Sequence, residues 1–171
     1  MNARDAGFTL IELMITISIV AVLAMFAVPE MRSLIINNRL KDASLNIYTS
    51  LTLARSEAIK RNVNTVSMVA ASGGWQNGWS VTCVDSAGSC GGSDIVIATE
   101  GAMENGITVT GPAGNIVTYN RDGRVSSGAT EFQLKSVDAS KLATLRCVYV
   151  DASGRPRTKA DSDGNETNGC Q

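Results

Sequence analysis

Residues 7–13 read Gly7-Phe8-Thr9-Leu10-Ile11-Glu12-Leu13, and the run that opens there continues almost without polarity to Val28. The stretch 8–28 has 21 residues and one charge, Glu12. About 20 apolar residues span a bilayer as a helix, so it predicts a membrane helix. Thr9, Thr16 and Ser18 fit there by bonding back to helix carbonyls. An ordinary secretory signal has a shorter apolar core followed by a small-residue cleavage site. Here the small residue, Gly7, precedes the apolar run, after a polar leader (residues 1–7) whose only basic side chain is Arg4. Cutting after Gly7 would leave the apolar helix on the mature chain.

Glu12 is the anomaly in this segment. A carboxylate deep in hydrocarbon costs about 2.5–3.5 kcal/mol on insertion scales, so a partner is expected. No cation lies in residues 8–28. The nearest positive group would be the Phe8 amine that cleavage creates, either the chain's own or that of a neighbouring copy; the alternative is that Glu12, four residues beyond Phe8, lies at the membrane interface and is tolerated there.

The stretch Gly7-Phe8-Thr9-Leu10-Ile11-Glu12-Leu13 resembles the class III signal of type IV pilins and type II secretion pseudopilins. That resemblance implies cleavage between Gly7 and Phe8 by a prepilin peptidase and N-methylation of Phe8. It also implies that Glu12 neutralises the Phe8 amine of an adjacent subunit during assembly. Pro29 stands where such proteins commonly carry a helix-weakening proline, and an interior proline removes a backbone bond.

Residues 31–61 contain no glycine or proline. Ile36, Leu40, Ala43, Ile47, Leu51, Ala54 and Ala58 fall at helical spacing, with charged residues elsewhere, which predicts an amphipathic continuation over 29–61. A helix over 8–61 would reach roughly 80 Å. A domain of this size cannot bury such a rod along its length, so its first half must lie in lipid or among like helices.

From residue 63 the texture changes to short β-branched runs: 63–70, 79–84, 95–100, 107–110, 116–120, 131–137 and 142–150. Gly, Asn, Asp and Ser clusters separate them, as in antiparallel sheets. Asp122-Gly123 is a tight-turn signal. Residues 151–171 are polar and read as a loop tied back by Cys170. The expected fold is α+β: a long N-terminal helix packed on a small antiparallel sheet or β-sandwich head at 62–171.

Three further motifs narrow the resemblance to the GspH/FimT group of minor pilins and pseudopilins. They are Trp75-x-x-Gly78-Trp79-x-Val81, Tyr119-Asn120-Arg121-Asp122-Gly123 within 116–124, and Ser153-Gly154-Arg155-Pro156-Arg157. They imply the type IV pilin fold. Trp75 and Trp79 are expected to be packing residues, since large aromatics are mostly buried.

The chain of 171 residues has a net charge of -1 and no histidine. No global basic field draws it to nucleic acid. The commonest general base and metal ligand is missing. The four cysteines, Cys83, Cys90, Cys147 and Cys170, form no C-x-x-C pair and suit disulfides in an oxidising compartment. Of the three possible pairings, Cys83–Cys90 with Cys147–Cys170 is favoured because each closes a local loop.

No catalytic constellation, cofactor motif or metal site is expected. Asp161, Asp163 and Glu166 around Gly164 loosely resemble a calcium loop, but the EF-hand spacing fails. Arg155, Arg157 and Lys159 alternate, with Arg146 upstream, and such a cation set can hold successive phosphates. The Gly154-Arg155-Pro156-Arg157 element resembles the Gly-Arg-x-Arg motif of pilins that take up DNA. A solvated loop with structural arginines is the simpler account, given the nearby aspartates.

These readings together anticipate a non-enzymatic minor pilin of a type IV pilus that starts or caps the filament. A pseudopilin of the type II secretion system and a DNA-binding tip subunit are the alternatives. Expected partners are other pilins or pseudopilins through the N-terminal helix, the prepilin peptidase, the inner-membrane assembly platform and the lipid bilayer. The precursor is expected to be single-pass in the inner membrane with its head in the periplasm.

Overall fold

The computed structural model describes residues 8–85, 90–137, 144–163, 169 and 170, without the side chains of 27–30. The chain divides into two compact units, residues 1–35 and 36–171. One helix, α1 (Leu10–Arg61), supplies residues to both.

In the first unit, Thr9 opens α1. Its hydroxyl accepts the Glu12 amide at 3.3 Å and its carbonyl accepts the Leu13 amide at 3.1 Å. Thr9 is therefore the N-cap and Glu12 the third helical residue of a Thr-x-x-Glu capping pattern. Thr16 and Ser18 donate to the carbonyls of Leu13 and Met14, at 2.8 and 2.7 Å. Residues 8–26 are all exposed in the single chain. That apolar surface calls for a cover of lipid or of other helices. No single helix among the described residues is long and apolar enough to cross a membrane. Leu10–Phe26 and Met31–Arg61 meet that length and composition only together.

In the second unit, α1 buries Leu40, Ala43, Ile47, Leu51, Ala54 and Ala58. This is the face anticipated from the spacing; Ile36 is half-buried beside it. Each fully buried Leu or Ile contributes about 1.5–3 kcal/mol. The helix ends in a Schellman motif. Asn62 takes a positive φ of 57°, its amide donates to Ile59, and the Val63 amide donates to Ala58, both at 3.1 Å. Val63 and Ala58 are both buried, as the apolar pair of such a cap commonly is.

The head contains two four-stranded antiparallel sheets. One has the order β3 (Ile95–Glu100), β2 (Trp79–Cys83), β1 (Val66–Ala70), β5 (Ile116–Tyr119). The other has the order β4 (Ile107–Thr110), β6 (Thr130–Ser136), β7 (Arg146–Val150), β8 (Pro156–Ala160). Both contribute to one core with α1, including Val66, Met68, Val81, Val117, Phe132, Leu134 and Val148. This is the expected α+β architecture. The unit encloses its own core and both disulfides, as an independently folding domain does.

Two differences from the expected strands have physical causes. The first strand starts at Val66 rather than 63, because residues 62 and 63 complete the helix cap. The loop expected over 151–171 contains β8. Its sequence has no large apolar residue and opens with proline, so it lacks the apolar alternation that marks a strand. Pairing with β7, from Val150↔Pro156 to Arg146↔Ala160, supplies what periodicity did not. Pro156 occupies a position an edge strand tolerates, its first residue.

Candidate functional site

The sequence-predicted residues fall in two places. At the N-terminal end, Gly7 lies outside the described residues, and Phe8 precedes α1 and is 85% exposed. Glu12 is exposed in the first turn of α1. The positive end of the helix dipole favours a carboxylate there. Thr9-x-x-Glu12 is the sequence signal for this cap. Pro29 lies within the span of α1, among the residues whose side chains are not described.

In the head, Cys83 is bonded to Cys90 and Cys147 to Cys170. The second disulfide brings the C-terminal segment onto β7, where the Tyr149 hydroxyl donates to the Cys170 carbonyl at 2.9 Å. Burial raises the Tyr149 phenol above its ordinary value, and the Glu131 carboxylate adds to this. Glu166 and Gly164 of the weighed calcium loop lie outside the described residues.

The three short head motifs are explained by packing. Trp75 is buried and meets Phe132 edge-on, with ring centroids 4.9 Å apart at 83°. Gly111 leaves room for the indole, because a Cβ there would overlap Trp75 Nε1. Buried Trp79 donates its indole N–H to Ser50 Oγ on α1 at 2.9 Å. Asn120 shapes the tight turn after β5: its side-chain oxygen accepts the amides of Asp122 at 3.1 Å and Arg124 at 2.9 Å. That turn and the Gly154 turn meet directly. A Cβ on Gly154 would overlap the Gly123 carbonyl, which also accepts Arg55 Nε at 2.9 Å. Tyr119 is fully buried beneath this contact, and burial pushes its phenol well above the ordinary range.

The four cations weighed as a phosphate site are divided. In the β7–β8 register Arg157 faces Tyr149 and Lys159 faces Cys147, so both stand on the outer face of their sheet. Arg146 alternates with Cys147 and shares the inner face with Val148 and Val150, and its Nε is buried without a hydrogen-bond partner. Arg155 precedes β8, and its amide donates to Asp151 at 3.2 Å. The Arg157 guanidinium lies 3.9 Å from the Asp151 carboxylate. The Ser153 hydroxyl, the Arg155 amide and this guanidinium hold Asp151 below its usual value. Arg146 thus cannot join Arg157 and Lys159 on one surface, a disposition the alternation within β7 imposes. Beside Arg157 and Lys159 runs a groove of about 630 Å3, mostly apolar, bounded also by Glu131, Tyr149, Val150 and Asp151.

A family model described as type II transport protein GspH matches residues 43–154, which is more than half of the chain. The chain belongs to the GspH family. A second model, the prokaryotic N-terminal methylation motif, matches residues 2–28. No curated protein sequence matches the chain significantly. Among solved structures, this GspH-family chain is similar to the type IV minor pilin FimU of Pseudomonas aeruginosa, with a TM-score of 0.59 and 17% identity. The match covers 78% of this chain and 96% of that one. It is also similar to the minor pseudopilin EpsH from the type 2 secretion system of Vibrio cholerae, with a TM-score of 0.53 and 12% identity, over 71% of this chain and 97% of that one. At these identities the likeness establishes a shared fold, the type IV pilin fold. The methylation motif and the apolar helix mark the GspH-family chain as a membrane-anchored pilin-type subunit, whose assembled form is a pilus or pseudopilus.

Proposed function

We propose that this protein is a minor pilin of a type IV pilus, a structural subunit that helps to start or cap the filament. The observation that carries the reading is the union of two features on one chain: a methylation-motif helix with its apolar side chains uncovered and a GspH-type head. An exposed apolar rod joined to a folded head is suited to helix-to-helix assembly and to storage in a bilayer. Supporting chemistry includes the absence of histidine, and the protein acts as a scaffold rather than a catalyst.

In this account the prepilin peptidase cuts between Gly7 and Phe8, and Phe8 is then N-methylated. The precursor waits in the inner membrane with its head in the periplasm, where its disulfides form. An assembly platform extracts it, and Glu12 answers the Phe8 amine of the adjacent subunit.

The family description and the EpsH-like fold favour a second reading, a pseudopilin of a type II secretion system. A deletion strain separates the two. Loss of surface filaments with secretion intact supports the pilus reading, and loss of secretion with filaments intact supports the pseudopilin. No change in either overturns both. Complementation with Glu12→Gln keeps a side chain able to cap the helix but removes its charge. Failure of this variant to enter filaments supports the charge pairing, whereas wild-type incorporation contradicts it.

A further inference from the structure

We infer that the outer edge of β8, which no described strand pairs, is a docking site for an extended acidic peptide segment of a partner protein, which binds by adding a strand to the sheet. The inference is independent of whether the filament is a pilus or a pseudopilus.

An edge strand presents backbone N–H and C=O groups that no neighbour pairs. The two sheets have four edges, and three are managed. The β2–β3 ladder is interrupted by a register shift opposite Val81 and Thr82. β4 is packed against the 3-10 turn Trp75–Asn77. β5 runs into a turn closed by the Tyr119–Val125 bridge. Among the described strands β8 has β7 on one side only, none of its residues is buried, and proline occupies only its first position.

Side chains of β8 itself supply what an added strand needs besides hydrogen bonds. Arg157 and Lys159 are exposed and stand two residues apart on the outer face. Alternate side chains of an incoming strand fall on that same face, directly opposite these two cations. Arg157 is held only at 3.9 Å by the exposed Asp151, and no ion pair engages Lys159 among the described residues. A carboxylate at each alternate position of the guest would pair with one of them. The same charges exclude a second copy of β8, which would set cation against cation. Recognition through strand addition therefore selects an acidic guest.

The test uses the head, residues 36–171, and three fluorescent probes: an eight-residue peptide alternating Val or Thr with Glu, the same peptide with Lys for Glu, and a short DNA duplex. Saturable anisotropy change with the glutamate peptide alone is expected. Arg157→Glu with Lys159→Glu should weaken that binding about tenfold and create binding of the lysine peptide. Backbone N-methylation of the glutamate peptide at alternate residues should abolish binding, since it blocks strand pairing but not charge. Circular dichroism establishes that the variant is folded, and Lys159→Glu alone gives a milder version of the same switch. Equal binding of both peptides, no binding of either, binding of DNA only, or indifference to N-methylation would each overturn the inference.

Discussion

Gly154 lies against the carbonyl of Gly123 with no space for a side-chain carbon between them. Two turns far apart in sequence are locked by this contact. Arg55 reaches from α1 to the same carbonyl, so helix, first sheet and second sheet meet at one oxygen. Both glycines have positive φ, 72° at Gly123 and 76° at Gly154, a region other residues enter at a cost.

Gly154→Ala should therefore destabilise the head by at least about 2 kcal/mol, combining backbone strain with overlap. Gly128→Ala is the control. It also has positive φ, at 84°, but open space around it, and should cost about 1 kcal/mol. Urea unfolding of both variants checks the difference; equal losses would show that the Gly123 contact contributes nothing.

Ser50→Ala removes the acceptor of the buried Trp79 indole. Leaving that N–H unpaired should cost about 1–3 kcal/mol. Chemical denaturation measures the loss, and a changed tryptophan emission spectrum of the folded variant would report the altered surroundings of the indole.

The disulfides should differ in value. Cys147–Cys170 closes a separation of 23 residues and Cys83–Cys90 one of 7. Loop-closure entropy gives about 3 kcal/mol for the first and about 2 for the second. Replacing each pair by serines and comparing melting temperatures tests the order.

Acid should weaken the head partly through Glu57. Hydrogen bonding by Arg61 holds this carboxyl below its ordinary value of 4.5, helped by Lys60 and opposed by burial. A folded-state value depressed below the unfolded one means stabilisation that is complete above about pH 4.5 and lost as the pH falls through the folded value. Glu57→Gln should flatten the stability profile in that acid window and leave its slope near neutrality unchanged.

The large features of the fold were legible because they rest on long, regular signals. The apolar run from Phe8 and the spacing Leu40, Ala43, Ile47, Leu51 each repeat enough to declare a helix. β3 and β4 were marked by β-branched runs between turn residues. β8 was hidden because its residues face solvent or an edge and carry no apolar alternation. The site was legible in residue identity but not in arrangement. Arg146, Arg157 and Lys159 look like one set in sequence, yet strand register puts Arg146 on the opposite face. The Gly123–Gly154 contact joins residues whose neighbours in sequence give no hint of each other. The cap that Thr9 forms was legible as Thr9-x-x-Glu12 at the start of the apolar run.

The central claim is that the apolar helix survives processing and begins the mature subunit. Mass spectrometry of the N-terminal peptide, taken from assembled filaments, tests it most directly. The account predicts a peptide that begins at Phe8 with one added methyl group. A peptide that retains Met1, or one that begins beyond the apolar run, would contradict it.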